Sequence, residues 1–207
     1  IRPTTLLELG CGTGAVILEC QKRGLAQRYI AADYSEEAIQ YLKRHAPNIE
    51  TRCTDITVPG AFNGQADVVI LSHVLEHLET PAHFLQSLHQ IEFSYLIAEV
   101  PLEDLFASKL KSWLWDRTRN TSGHVQFFTS HTFTHLLTSN HFHVVDTRTY
   151  VPILDRDTVR FACRKNGASG PQRMRMMITN HYLPRLFEPL WTRFYYAHHA
   201  VLCSKNE

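Results

Sequence analysis

The stretch Leu7-Glu8-Leu9-Gly10-Cys11-Gly12-Thr13-Gly14 holds the residue types best suited to binding chemistry. Glycines spaced G-x-G-x-G let a backbone turn approach a ligand, because no Cβ intervenes and positive φ costs little. The spacing is not the G-x-G-x-x-G of dinucleotide turns. Acidic Glu8 ahead of the turn would repel a pyrophosphate but would welcome a cation. Asp33 follows Gly14 by 19 residues, and its two carboxylate oxygens suit the paired hydroxyls of a ribose. Tyr34 is then placed to line an adenine face. Asp55 suits the adenine amino group, with Ile56 packing on the ring, and Leu71, Ser72 and His73 close the pocket.

The histidines offer a second kind of chemistry. His73-Val-Leu-Glu76-His77 matches H-x-x-E-H, a zinc-peptidase pattern. That pattern needs one continuous helix, whereas His73 directly follows an apolar, strand-like run, so zinc catalysis is not expected. His131 and His135 stand at the i, i+4 spacing of a helix face, but no third ligand is apparent and no metal is expected. His73 and His124 are the candidate general bases, since an imidazole titrates near neutrality. Glu99 is a weaker candidate. His124 lies in Gly123-His124-Val-Gln-Phe-Phe128, just before a helix start at Thr129 or Ser130.

These residues need a scaffold, and the hydrophobic pattern supplies one. Apolar runs at 4–9, 29–32, 49–53, 66–71 and 93–100 read as buried strands, and 15–23, 35–45 and 80–91 read as helices. Ser35 reads as a helix cap with Glu36 and Glu37 in the first turn, and Pro81 stands at a first helical position. Strands alternating with helices specify a parallel sheet covered on both faces. The candidate site residues fall at the carboxyl ends of those strands, where such sheets bind ligands. Beyond Pro101 the pattern weakens: 102–128 carries Trp113, Trp115, Phe127 and Phe128. A helix is expected at 129–139, a strand at 141–150, a mostly helical excursion at 155–196 and a last strand at 197–204.

Composition narrows the class. The chain has 207 residues and a net charge of +1. That fits one domain, with a cofactor-binding half at 1–100 and a substrate half at 101–207, and gives no global support for nucleic-acid binding. Five cysteines without C-x-x-C spacing point to a reduced, cytoplasmic setting. The chain begins at Ile1 with its first strand starting almost at once, so residues upstream are expected. The segment 158–206 holds eight Lys or Arg against one acid, Glu188, together with Tyr182, Phe187, Trp191, Phe194, Tyr195 and Tyr196. It suits an anionic small molecule, a peripheral contact with an anionic membrane, or simply a solvated face over an aromatic core.

Four pieces in order now carry a resemblance: Glu8 to Gly14, Asp33-Tyr-Ser-Glu-Glu-Ala38, Thr54-Asp55-Ile56, and Ala66 to Leu78 with its Ser72-His73-Val-Leu-Glu76-His77 core. Together they resemble the class I S-adenosylmethionine-dependent methyltransferases, most nearly the group containing the ubiquinone- and menaquinone-biosynthesis enzymes. The resemblance covers about half the chain, residues 4–100. It implies a Rossmann-like α/β fold with a mostly parallel seven-stranded sheet. It implies S-adenosylmethionine as cofactor and S-adenosylhomocysteine as product. The cofactor would then be held by Glu8, Gly10, Cys11, Gly12, Gly14, Asp33, Tyr34, Asp55, Ile56, Leu71, Ser72 and His73. One departure is local: the group often has a glycine turn before its fifth strand, where this chain has His89-Gln-Ile-Glu-Phe-Ser94. A small-molecule acceptor is the leading expectation. Methylation of RNA or protein, or a non-catalytic cofactor-binding scaffold, are the alternatives.

Overall fold

Strand formation in this chain follows the alternation of its side chains. In the computed structural model, which describes residues 2–58, 60–61, 64–102, 123–151, 153, 156–165, 167–188 and 197–205, seven strands form one sheet. They are β1 (Thr5–Leu9), β2 (Arg28–Asp33), β3 (Glu50–Cys53), β4 (Val68–Ser72), β5 (Tyr95–Pro101), β6 (Phe142–Tyr150) and β7 (His198–Lys205). Their order across the sheet is β3-β2-β1-β4-β5-β7-β6. The registered pairs β1·β2, β1·β4, β2·β3 and β4·β5 are all parallel. The first helices are α1 (Ala15–Lys22), α2 (Glu36–His45), α3 (Pro81–Ser87) and α4 (Ser130–Ser139).

Successive strand residues point to opposite faces, and the core divides accordingly. Leu7, Leu9, Ile30, Ala32, Val69, Leu71, Leu96 and Ala98 pack on one side with Phe84 and Leu85 of α3 and Phe133 and Leu137 of α4. Leu6, Tyr29, Ala31, Val68 and Ile70 pack on the other with Ile17 of α1 and Ile39 and Leu42 of α2. The result is a sheet between two helical layers, the Rossmann-like α/β arrangement expected from the strand–helix alternation. The apolar runs are nearly continuous because both faces are buried.

Helix ends follow local chemistry. The Ser35 side chain accepts from Ala38 N–H and starts α2. Thr129 and Thr132 form a reciprocal capping box at the start of α4. The helix expected over 80–91 is shorter: α3 stops at Ser87, and a single 3₁₀ turn (Leu88–Gln90) follows. Ser87 Oγ donates to the Phe84 carbonyl at 2.7 Å, a back-bond that competes with continuation of the helix.

The chain divides into two compact units, one of residues 1–100, 121–147 and 200–207, the other of 101–120 and 148–199. The second unit contains α5 (Arg156–Lys165), α6 (Gly170–Met177), a π-helical turn (Ile178–Tyr182) and α7 (Leu183–Leu186). Helical turns take up most of the described residues between 156 and 188. Val159, Cys163 and Ala168 form a small core there, with Met176 and Met177 against it. Trp113, Trp115, Trp191, Phe194, Tyr195 and Tyr196 lie outside the described residues. Among the described residues no helix is long and apolar enough to cross a membrane.

Candidate functional site

The glycine turn joins the end of β1 to α1, and its three glycines have different tasks. Gly10 has φ of 75°, and a Cβ there would meet Val74 Cγ2 at 2.5 Å and Ile56 Cδ1 at 3.7 Å. Gly14, the N-cap of α1, has φ of 87°, and its Cβ would meet Leu42 Cδ1 at 2.6 Å. Both glycines therefore permit close packing. Gly12, with φ of 51°, has nothing within 4 Å of its Cβ position. Of the three, it is the one whose Cβ position faces open space.

Asp33 ends β2 and is 7% exposed. Its Oδ2 accepts from Gly12 N–H at 2.7 Å, and its Oδ1 accepts from Ser35 N–H at 2.9 Å. The carboxylate is thereby fixed in orientation across the open side of the turn. Each oxygen keeps a second lone pair for another donor.

Glu8 has a task the sequence reading did not anticipate. It is 2% exposed, and its Oε2 accepts from Ile17 N–H at 2.9 Å. Gly14 has no side chain with which to cap α1, so Glu8 caps the helix from the preceding strand. Burial pushes its pKa up to about 8, against the lowering effect of the Ile17 N–H, and the nearby Asp33 charge raises it further. Its surroundings therefore favour the neutral carboxyl over the ionised one. A bound cation would favour its ionised form.

The remaining expected pocket residues fall in distinct places. Cys11 N–H donates to the Ala32 carbonyl, its carbonyl accepts from Gly14, and its side chain is buried. Burial, aided by Glu8 and Asp33, raises its thiol to about 12, so it is an inert packing group. Tyr34 is 79% exposed. Asp55 Oδ1 accepts from the Thr57 backbone N–H and hydroxyl at 2.9 and 2.6 Å, which holds its pKa below the usual range. Ile56 packs against the core beside Gly10. Leu71 is 1% exposed within the core, so its side chain supports the strand end from beneath. Ser72 ends β4, in register with Glu99 of β5.

His73, the next residue, adopts φ of 57°, an unusual left-handed conformation for a non-glycine residue. Its Nδ1 lies 2.9 Å from Glu76 Oε1 and its Nε2 lies 3.5 Å from Glu99 Oε1. The hydrogen bond with Glu76, then that with Glu99, raises its pKa to about 9 against the opposing effect of burial. The two carboxylates thus favour the charged imidazole, whose ring nitrogens donate to them rather than accept a proton. The imidazolium and two carboxylates sum to one net negative charge, which suits a cationic ligand nearby.

The raised pKa has a consequence for stability. A folded-state value above the unfolded 6.5 means that the stabilisation is complete below that pH and lost as pH rises through about 9. The urea midpoint of the protein should therefore fall more between about pH 6.5 and about pH 10 than that of a His73→Asn variant. Asn tolerates the same backbone conformation. Equal falls in the two proteins would show that the imidazole is not paired.

His124 occupies a held position. Val125 and Gln126 N–H both donate to the Glu76 carbonyl at 2.9 and 3.0 Å, and Gln126 Nε2 donates to the Glu79 carbonyl at 3.2 Å. His77 Nδ1 lies 3.2 Å from the Gly123 carbonyl. These contacts set the half-buried His124 against His77, with ring centroids 5.0 Å apart. Leu75–His77 forms one 3₁₀ turn, so H-x-x-E-H does not lie on a continuous helix. The sequence reading missed Glu76 as a partner of His73; the available signal was their i, i+3 spacing.

A family model described as a methyltransferase domain matches residues 1–147. Two curated proteins from strains of Mycobacterium tuberculosis, each named "Probable S-adenosylmethionine-dependent methyltransferase", are 31% identical over 83 residues. The matched stretch covers 39% of this chain but only 29% of each relative's length. Among solved structures, coclaurine N-methyltransferase bound to N-methylheliamine and S-adenosylhomocysteine superposes with a TM-score of 0.66 at 17% identity, covering 99% of this chain and 68% of that one. A SAM-dependent methyltransferase from Archaeoglobus fulgidus gives 0.57 at 18%, covering 97% and 86%. The cyclase SpnF gives 0.62 at 12%, covering 98% and 75%. At these identities the superpositions establish a shared fold and leave activity to be argued from the site.

Proposed function

Since this chain belongs to the methyltransferase-domain family, whose cofactor is S-adenosylmethionine, we propose that it catalyses methyl transfer to a small molecule at an oxygen, nitrogen or carbon atom, with S-adenosylhomocysteine as product. The observation that carries the reading is the open face of Gly12 beside a carboxylate fixed by Gly12 and Ser35 N–H groups. This combination fits a ribose-bearing ligand. Bound there, S-adenosylmethionine supplies a methyl carbon already activated by its sulfonium.

The chain's own part is then orientation and electrostatics. Asp33 accepts from the ribose hydroxyls. Glu8, buried behind the turn, offers a negative charge that a nearby cation would draw out. Tyr34, Asp55 and Ile56 frame the adenine end. His73 and Glu76, just beyond the end of β4, and Glu99 on the neighbouring β5 form a charged cluster that would bear on a cation bound nearby. Methyl transfer is an in-line displacement, so holding the acceptor on the line of attack accounts for much of the rate. Of the two histidines expected as bases, His124 is the one left for the acceptor end.

The second unit, taken by itself, carries a surface suited to an anionic or lipid-like molecule. Met174, Ile178, Tyr182 and Leu186 recur at four-residue steps along its helical stretch, each at least 40% exposed, with Arg173, Arg175 and Arg185 interspersed. Apolar and cationic side chains together suit a molecule with an acidic head and an apolar body, or the surface of a membrane that contains it. A second reading is a non-methylating use of the same pocket, because the cyclase SpnF shares the fold. Methylation of RNA is less favoured, since a formal charge of +1 lacks the basic excess of a nucleic-acid binder.

Calorimetric titration with S-adenosylmethionine and S-adenosylhomocysteine tests this. Micromolar binding of both, followed by acceptor-dependent release of S-adenosylhomocysteine from a panel of small acidic and lipid-like compounds, is the expected result. Binding without turnover on any acceptor class would favour the second reading. A folded protein that binds neither compound would sink the proposal.

A further inference from the structure

Glu76 is 1% exposed, yet its Oε2 has no hydrogen-bond partner among the described residues. Its other oxygen is engaged by His73 Nδ1. A buried carboxylate oxygen left without a donor is costly, and native structures satisfy such atoms with water or an ion. The side chains around it are suited to an ion. Glu76, His77 and His124 each bring a carboxylate oxygen or ring nitrogen to within 4.8 Å of the others. All three belong to the same compact unit.

We propose that Glu76, His77 and His124 form a divalent-cation site of the His₂Glu type, with Zn²⁺ as its best-suited occupant. Two imidazoles and one carboxylate are a zinc donor set that leaves a fourth position open. The groups supporting the ligands are already present. His77 Nδ1 faces the Gly123 carbonyl; an N–H donated there leaves Nε2 with the lone pair, as outer-shell partners of metal-bound histidines arrange. Glu76 is oriented by His73 in the same way. The four contacts between residues 123–126 and the segment 76–79 fix the approach of His124. The ligands are thus not those of the H-x-x-E-H pattern, because His73 is occupied as a partner of Glu76, and the third ligand comes from 47 residues beyond His77.

The inference concerns binding and stands without the cofactor reading; its consequence for the acceptor rests on that reading. A cation at this place, on the carboxylate that His73 also engages, would bind and acidify an acceptor hydroxyl or hold an acceptor carboxylate. That role replaces proton acceptance by His124, because a lone pair given to a metal is not available for a proton.

The test is equilibrium dialysis of the chelator-stripped full chain against Zn²⁺, with metal per chain read by elemental analysis, and a parallel Co²⁺ titration followed by visible absorption. One tightly held Zn²⁺ per chain and a single Co²⁺ spectral species are expected. Affinity should fall at least about tenfold in Glu76→Gln and in His124→Ala, since even outer-shell changes cost about that much. A His131→Ala/His135→Ala double variant, which removes the exposed helical pair, should keep full binding. Circular dichroism shows whether each variant folds, and His77→Asn serves if Glu76→Gln does not. Absence of tight binding to the stripped protein would overturn the proposal and leave Glu76 Oε2 to water. So would binding that survives in Glu76→Gln and His124→Ala, or that disappears in the double variant. Because the readout uses no S-adenosylmethionine, its failure is separable from failure of the methyl-transfer reading.

Discussion

Gly14→Ala should lower the melting temperature by roughly 5–15 °C, whereas Gly12→Ala should leave the fold nearly intact and remove cofactor binding. At Gly14 two costs combine. An L-residue in the left-handed region costs about 1–2 kcal/mol. The added methyl would also sit 2.6 Å from Leu42 Cδ1, and Leu42 is fully buried, so overpacking adds about 1–3 kcal/mol. A protein stabilised by only about 5–15 kcal/mol feels such a loss strongly. At Gly12 only the backbone strain applies, because nothing lies within 4 Å of the added carbon. That carbon occupies the space proposed for the ligand. Thermal melts followed by calorimetric titration check both halves. Tight binding by Gly12→Ala would place the ligand elsewhere, and an unchanged melting temperature for Gly14→Ala would contradict the packing beneath the turn.

Asp33→Asn should weaken S-adenosylmethionine and S-adenosylhomocysteine by the same large factor. The substitution keeps volume but replaces one acceptor oxygen by a donor. Two charge-assisted hydrogen bonds to the ribose, each worth about 1.5–3 kcal/mol, would be impaired. Together they correspond to roughly 10²–10⁴-fold in Kd. The equality of the two losses is the diagnostic part, because both ligands carry the ribose and only one carries the sulfonium. The variant should also lose about 1–3 kcal/mol of stability, since the buried acid anchors Gly12 and Ser35 N–H groups. Titration of both ligands, with a denaturant curve for each protein, measures these effects. A loss confined to S-adenosylmethionine would mean that Asp33 reads the sulfonium rather than the ribose.

Much of the sheet and the place of the turn were legible in residue order alone. Alternating burial and strand–helix alternation are local consequences of side-chain direction, so β1 to β5 and the helices between them could be read from apolar runs and punctuating glycines. The positions of Asp33 and Asp55 followed, because strand ends in a parallel sheet share one edge. The Ser35 cap was equally local.

What one residue does to another's charge was not legible, because it depends on neighbours set by packing. Glu8 reads as an acid that would welcome a cation, and the structure makes it also the buried cap of α1, since β1 and α1 fold back on each other and remove its solvent. The three glycines look equivalent in sequence. Val74 and Leu42, arriving from β4's far end and from α2, make two of them packing positions and leave Gly12 open. His73 and His124 looked like alternative bases. Glu76 and Glu99 converge on His73 and favour its charged form, while the backbone of residues 123–126 carries His124 to Glu76 and His77. Residue types and spacing along the chain determined where the glycine turn and the acid at the end of β2 lie, side by side at one edge of the sheet. Tertiary structure decided the charge state and partners of the groups around it, because desolvation and Coulomb interactions act through space and are set by residues distant in sequence.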